Sequence, residues 1–273
     1  MTDALASRLR RIRVFGHDIR VSVRPGTQHG PPLVLCNGLG ASLDLLEPFV
    51  ARLPSDIEVV SFDVPGVGGS SLPRVPYNFA LLSVLLGRLL TELGYETVDV
   101  LGISWGGGLA QQFAFQNPRR CRRLVLVSTG TGFIMVPAHP RVLAKMVTPR
   151  RYRDRGYAVS IAASLYGGRL RTEPWLAAGL LHEQLRLGSR RGYAFQLAAG
   201  AGWTSLPFLP LLRQRTLVLA GSDDPIIPLV NARMISRLTR HARLHVFDDG
   251  HLGLVTRADG LAPIVAEFLR EPA

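Results

Sequence analysis

Apolar positions along the chain follow two alternating patterns. Short continuous apolar runs recur at LVLC (33–36), EVVSFD (58–63), VDVLG (98–102), LVLVS (124–128), TLVLA (216–220) and RLHVF (243–247). Runs of that length, rich in β-branched residues, predict strands covered on both faces. Between them the apolar positions return at helical spacing, predicting helices over 44–52, 79–93, 104–116, 230–238 and 258–269. Near the start, RIRVFG and DIRVSVRP flank Gly16-His17 and predict a hairpin. Strand alternating with helix implies an α/β fold, a mostly parallel sheet with helices on both faces. The leading hairpin would supply antiparallel edge strands. No strong strand signal occurs between Ser128 and Thr216, only helical patches around 140–145, 158–165, 175–187 and 193–199. A structureless loop of that length is improbable. The interval is therefore expected to be a helical insertion capping the C-terminal edge of the sheet. The division expected is core 1–129, cap 130–214 and core 215–273.

Composition narrows the class. A chain of 273 residues with 47% hydrophobic content can bury a large core, and only Cys36 and Cys121 are present, so disorder and a disulfide scaffold are excluded. The longest apolar stretch, LLSVLLGRLL, is broken by Arg88 and is too short to span a bilayer. The N-terminal residues carry no apolar signal region. Arg10-Arg11 superficially fits a twin-arginine signal, but the residues after it read as strand. A soluble, cytoplasmic protein is expected. Lys plus Arg number 32 against 20 Asp plus Glu, a net charge of +12, and all but Lys145 of the basic residues are Arg. Residues 141–191 hold ten Arg and Lys145 against Asp154, Glu173 and Glu183, a net +8. Genome bias alone would not concentrate charge in this way, so the cap is expected either to be a solvated face or to meet an anionic surface. Nucleic acid is not expected, because no recognised motif or aromatic platform accompanies the arginines.

The strongest chemical motif is Gly102-Ile103-Ser104-Trp105-Gly106. It follows a buried strand and opens a helix, the setting of a nucleophile elbow, where a sharp turn with small flanking residues lifts the Ser hydroxyl above the sheet edge. A Ser nucleophile needs a base, and the base needs an orienting carboxylate. In chain order the carboxylate should follow a late strand and the His the last one. GSDDP (221–225) and DDGH (248–251) occupy those places. Asp224 and His251 are preferred, with Asp223 a competitor for Asp224 and with Asp248 and Asp249 read as a turn beside the His. His17 is placed in the hairpin turn, His29 and His139 in Pro-rich loops, His182 on a cap helix, and His241 and His245 at the last strand; none follows a strand end with Gly before it. Two N–H donors should hold the oxyanion: Trp105, after the nucleophile, and Leu39, between Gly38 and Gly40 in the loop after the first buried strand.

Two rival chemistries fall short. Gly38-x-Gly40 with Asp63 at the end of the next strand resembles a dinucleotide fingerprint, but Leu43 stands where the third Gly belongs, and Asp63 leads into a turn, VPGVGGS. No phosphate-loop, HExxH or CxxC spacing occurs, so no cofactor and no metal are expected. Cys36 reads as a strand residue rather than a nucleophile.

Taken together, these residues are similar to the α/β-hydrolase superfamily. More narrowly, the chain resembles the intracellular medium-chain-length polyhydroxyalkanoate depolymerases. The resemblance rests on 62–77, 102–114, TPRRY (148–152), LYGG (165–168), GWTS (202–205), 219–229 and 248–258. It implies a Ser104–Asp224–His251 triad, no cofactor, and hydrolysis of a hydrophobic polyester on storage granules in the cytoplasm. Polyester synthases share the fold but use Cys, so Ser104 speaks against acyl transfer in the synthetic direction. Phe133, Met135, Trp105 and Trp203 are candidates for an apolar acyl pocket, with ordinary core packing the alternative for each taken singly. Gly253 departs from the pattern where a bulkier apolar residue is expected, which bears on pocket size and acyl length. The alternatives are a small-molecule esterase, lactonase or carbon–carbon bond hydrolase, which would keep the triad and change the cap, and a non-catalytic hydrolase-like binding protein, which would lose a triad member.

Overall fold

A computed structural model describes residues 8–27, 30–148, 150, 154–184 and 189–272. Eight strands form one sheet: β1 (Arg8–Val14), β2 (His17–Arg24), β3 (Leu33–Cys36), β4 (Val59–Phe62), β5 (Val98–Ile103), β6 (Cys121–Val127), β7 (Arg215–Gly221) and β8 (Ala242–Phe247). Their order is β1-β2-β4-β3-β5-β6-β7-β8. From β4 to β8 every pairing is parallel, and β2 joins β1 and β4 antiparallel.

The helices are α1 (Glu47–Val50), α2 (Phe79–Glu92), α3 (Trp105–Gln116), α4 (Pro140–Val147), α5 (Arg155–Tyr166), α6 (Arg169–Thr172), α7 (Trp175–Gln184), α8 (Arg190–Gly200), α9 (Leu229–Leu238), α10 (Gly253–Thr256) and α11 (Ala258–Arg270). Strand residues sort by parity onto two cores. Val34, Val100, Leu124, Leu126 and Val218 pack with α2, α3 and α9. Leu33, Leu35, Leu101, Val125 and Leu217 pack with α1 and α11. A side-chain period of two, buried on both faces, accounts for the continuous apolar runs. Helices α4 to α8 lie between β6 and β7, and the chain returns to the sheet through buried Phe208, Leu209 and Leu212.

Four expectations are corrected. The hairpin turn is Phe15-Gly16, with φ of 48° and 79°, and Val14 pairs with His17, so His17 begins a strand instead of lying in the turn. Positive φ at both turn residues matches the right-handed twist of the strands. Only β1 is an edge strand of the hairpin, because β2 is covered by β4. At the other edge, β8 is half-exposed rather than covered on both faces. The predicted 44–52 helix is a 3-10 turn at Leu43–Leu46 followed by the single turn α1. Pro48, which lacks an N–H, is tolerated only near a helix start and forces that restart.

Candidate active site

The loops at the C-terminal ends of β3, β5, β7 and β8 converge on Ser104. The turn from β5 into α3 is tight. Ser104 has φ 54° and ψ −121°, the left-handed half of the map, and its N–H donates to Val127 O at 2.9 Å. A Cβ at Gly106 would overlap the Cys36 carbonyl, so only Gly lets α3 start this close to β3. Thr129 Oγ1 donates to Ser104 O at 2.7 Å and braces the turn from β6.

His251 Nδ1 lies 2.8 Å from Asp224 Oδ2, and Nε2 lies 3.0 Å from Ser104 Oγ. An ionised carboxylate only accepts, so Nδ1 carries the proton and Nε2 is free to accept from the Ser hydroxyl. Asp224 is buried, and its other oxygen accepts from the Ile226 and Ile227 amides, each at 2.9 Å. His251 is buried too, and its own amide donates to Tyr166 O at 2.7 Å. Asp223 turns the other way. It accepts from Arg171 Nε at 2.6 Å and Gly168 N at 2.8 Å, and the Arg171 guanidinium first, then the Gly168 amide, hold its carboxyl below the usual range. Asp248 is exposed, whereas Asp249 is buried and accepts from the Arg169 and Gly250 amides and the Thr256 hydroxyl at 2.7–2.8 Å. Asp249 thus ties the His251 loop to α6 and α10.

Leu39 sits between the two glycines of the β3 loop, and Trp105 is the first residue of α3. Among the described residues neither backbone amide has a protein acceptor. That loop is braced around Leu39: Asn37 Nδ2 donates to Ser42 O at 2.9 Å, and Gly40 N donates to Gln196 Oε1 of α8 at 2.8 Å.

The pocket candidates differ in burial: Trp105 and Trp203 flank the Phe79 ring, and the Phe133 amide donates to Trp203 O at 2.7 Å. Trp203 packs into the core, its ring centroid 4.8 Å from Phe79 and 6.1 Å from Phe208, and its indole N–H donates to Gln112 Oε1 at 2.7 Å. Trp105 packs against Phe79, ring centroids 4.7 Å apart and planes tilted by 45°. Phe133 is 75% exposed, and Met135 is half-buried over Gly130. Gly253 does not enlarge a pocket, because the Phe247 ring fills the space a side chain would take. Gly253→Ala is therefore expected to cost about 1–3 kcal/mol through overpacking, read by denaturant unfolding.

Other candidates fall elsewhere. Asp63 is buried under the 64–71 turn, accepting from the Leu43 and Gly69 amides at 2.7 and 2.8 Å; burial lifts its carboxyl above the ordinary range against those bonds and Arg20. It organises two loops. The Cys36 thiol is fully buried and pushed far up by desolvation, which leaves no thiolate to react. His139 caps α4, and His245 lies on β8. His29, the side chain of His182 and most of TPRRY lie outside the described residues. Among the described residues no group of His, Cys, Asp and Glu could hold a metal ion.

Sequence reasoning missed Gln196, Tyr166, Thr129 and Asp249. LYGG carried a signal for one of them: Tyr166 O holds the His251 amide, and Gly167 and Gly168 pack against Asp223 and Asp249. Nothing in local sequence marks Gln196 or Thr129.

The model of the α/β hydrolase fold family matches residues 31–258. A poly(3-hydroxyalkanoate) depolymerase from Ectopseudomonas oleovorans is 49% identical over 96% of this chain and 92% of its own length. A 3-oxoadipate enol-lactonase from Acinetobacter baylyi is 27% identical, covering 84% of this chain and 85% of its own. Among solved structures, an enol-lactonase from Burkholderia xenovorans superposes with a TM-score of 0.80 at 25% identity, over 96% of this chain and all of that one.

Proposed function

Because the chain belongs to the α/β-hydrolase fold family, we propose that it is a serine-dependent ester hydrolase acting on medium-chain-length poly(3-hydroxyalkanoate). The observation that carries the chemistry is the continuous relay from Ser104 Oγ through His251 to Asp224, at 3.0 and 2.8 Å, on a strained elbow. The 49% identity to a poly(3-hydroxyalkanoate) depolymerase carries the substrate.

In this reading Ser104 Oγ attacks the ester carbonyl while His251 Nε2 takes its proton. Asp224 fixes the tautomer and offsets the imidazolium charge. The Leu39 and Trp105 amides hold the oxyanion, and their lack of protein acceptors supports that role. His251 returns the proton to the departing 3-hydroxyl end of the polymer. Water, deprotonated by His251, then attacks the acyl carbonyl, and His251 returns that proton to the departing Ser104 Oγ.

The segment 130–214 serves as a cap over this centre, between core segments 1–129 and 215–273. The contacts of Tyr166 with His251 and of Gln196 with Gly40 support that division. Docking on cytoplasmic storage granules fits the cap's charge. Arg150, Arg169 and Arg171 are paired with carboxylates, whereas Arg141, Arg190 and Arg191 are exposed without a carboxylate partner among the described residues. Among the described residues no helix is long and apolar enough to cross a membrane.

The test is hydroxyacid release from emulsified medium-chain and short-chain polymer and from native granules, wild type beside Ser104→Ala. Release from the medium-chain polymer, lost in the variant and falling on granules as salt rises, is the expected result. Ser104-dependent cleavage of small esters with no release from either polymer would move the assignment toward a lactonase-like enzyme, the reading favoured by the enol-lactonase similarity.

A further inference from the structure

One residue of the inserted helices reaches both loops of the proposed oxyanion site. Gln196 on α8 is buried, and its side-chain Oε1 accepts from Gly40 N at 2.8 Å. Its backbone carbonyl accepts from the Trp105 indole N–H, also at 2.8 Å. Gly40 follows Leu39 and Trp105 follows Ser104, so this residue touches the neighbourhood of each oxyanion donor assigned above. We propose that Gln196 is a positioning residue that sets the direction of the oxyanion-holding amides, so that the hole is complete only when α8 is seated. The proposal rests on the serine-hydrolase reading.

Backbone geometry gives the reason. A trans peptide is a rigid plane, with its N–H and its carbonyl pointing opposite ways. The Leu39 N–H shares a plane with the Gly38 carbonyl, which accepts from Ala41 N at a long 3.2 Å. The next plane, Leu39 to Gly40, is held by Gln196 from outside the loop. Glycines on both sides of Leu39, with Gly40 at φ 71°, leave the segment free to rotate without such a brace. A free Gly40 N–H would also compete for the oxyanion and pull Leu39 out of line. Helix α8 is itself seated by contact: Gly192 and Gly66 approach so closely that a Cβ on Gly192 would overlap the Gly66 carbonyl. Gln196 lies one turn further along the same helix.

A brace of this kind acts on the transition state more than on the bound ester. Misplacing a donor by about 1 Å can cost on the order of 10²-fold in rate. Gln196→Met keeps the length and removes the acceptor. With a soluble p-nitrophenyl ester it is expected to lower kcat about 10²-fold and to leave KM within about two-fold. Affinity for an alkyl boronic acid, which forms a tetrahedral anion on Ser104, should fall in parallel, while affinity for the 3-hydroxyacid product is retained. Trp105→Phe keeps the backbone amide but removes the indole anchor, and should show the same split to a smaller extent; it serves if Gln196→Met does not fold.

An unchanged kcat in Gln196→Met, or a raised KM with boronate affinity intact, would overturn the inference and leave Gln196 as a cap anchor only. Ser104→Ala separates the two levels. If it abolishes hydrolysis while Gln196→Met leaves kcat untouched, the positioning role alone fails. If Ser104→Ala keeps full activity, the serine-hydrolase reading fails and this inference with it.

Discussion

Ser104→Ala is expected to lower kcat for ester hydrolysis by about 10⁶-fold, and His251→Ala added to it is expected to cost little more. The reason is the geometry of the relay. His251 Nε2 meets Ser104 Oγ at 3.0 Å, and in the proposed reaction its task in the first step is to take that proton. With the hydroxyl gone the base has nothing to activate, so the two losses overlap instead of adding. The residual rate enhancement, of order 10³–10⁴ over water, would come from the proposed oxyanion amides and substrate binding. Ala keeps a Cβ and so meets the same backbone demand at φ 54° as Ser, and the elbow's contacts are made by its glycines and Thr129. An unchanged unfolding curve beside single-turnover rates for both variants is the check. Additive losses would mean that His251 works on a group other than Ser104.

Much of this arrangement was legible because it depends on local signals. Six apolar runs marked six strands, and five of them, β3 to β7, are buried on both faces and so have no polar alternation to hide them. GxSxG, GSDDP and DDGH each sit directly after a strand, so fold topology alone predicted that their side chains would share one edge of the sheet. The misses have physical causes. β6 begins at Cys121, earlier than its apolar run, because Arg122 and Arg123 are strand residues whose charges are met far away in sequence: Arg122 by Asp99, and Arg123 by the Glu271 and Pro272 carbonyls. Polar letters concealed buried backbone. Asp223 and Asp224 are adjacent and chemically identical, and only Arg171 and the Ile226 and Ile227 amides tell them apart. Gln196 was invisible because its partner, Gly40, is 156 residues away and is bonded through its backbone, which leaves no residue-type signature. The aromatic candidates were ambiguous by type, since an acyl pocket and an apolar core use the same residues. Trp203 resembled a pocket residue by type, yet its indole is spent on Gln112 and its ring on Phe79 and Phe208.

The adjacent aspartates give the sharpest contrast in expected effect. Asp224→Asn should lower kcat about 10⁴-fold, whereas Asp223→Asn should leave it within about two-fold. Asp224 Oδ2 accepts the His251 Nδ1 proton, and Oδ1 is fixed by two amides, so the carboxamide of Asn has to keep its oxygen toward Ile226 and Ile227. Its NH2 then faces Nδ1, which can only accept from it. The imidazole proton moves to Nε2, and the base toward Ser104 becomes a donor. The shape of the site survives while its tautomer is inverted, so KM should change little and kcat should carry the loss. Asp223 makes none of these contacts. Its bonds to Arg171 and Gly168 are half-exposed, and losing such an ion pair costs at most about 1 kcal/mol of stability. Steady-state kinetics of the two variants on one soluble ester, with unfolding curves alongside, decide the matter. Equal losses in both would put the orienting carboxylate on the pair, and a larger loss in Asp223→Asn would transfer it to the neighbour.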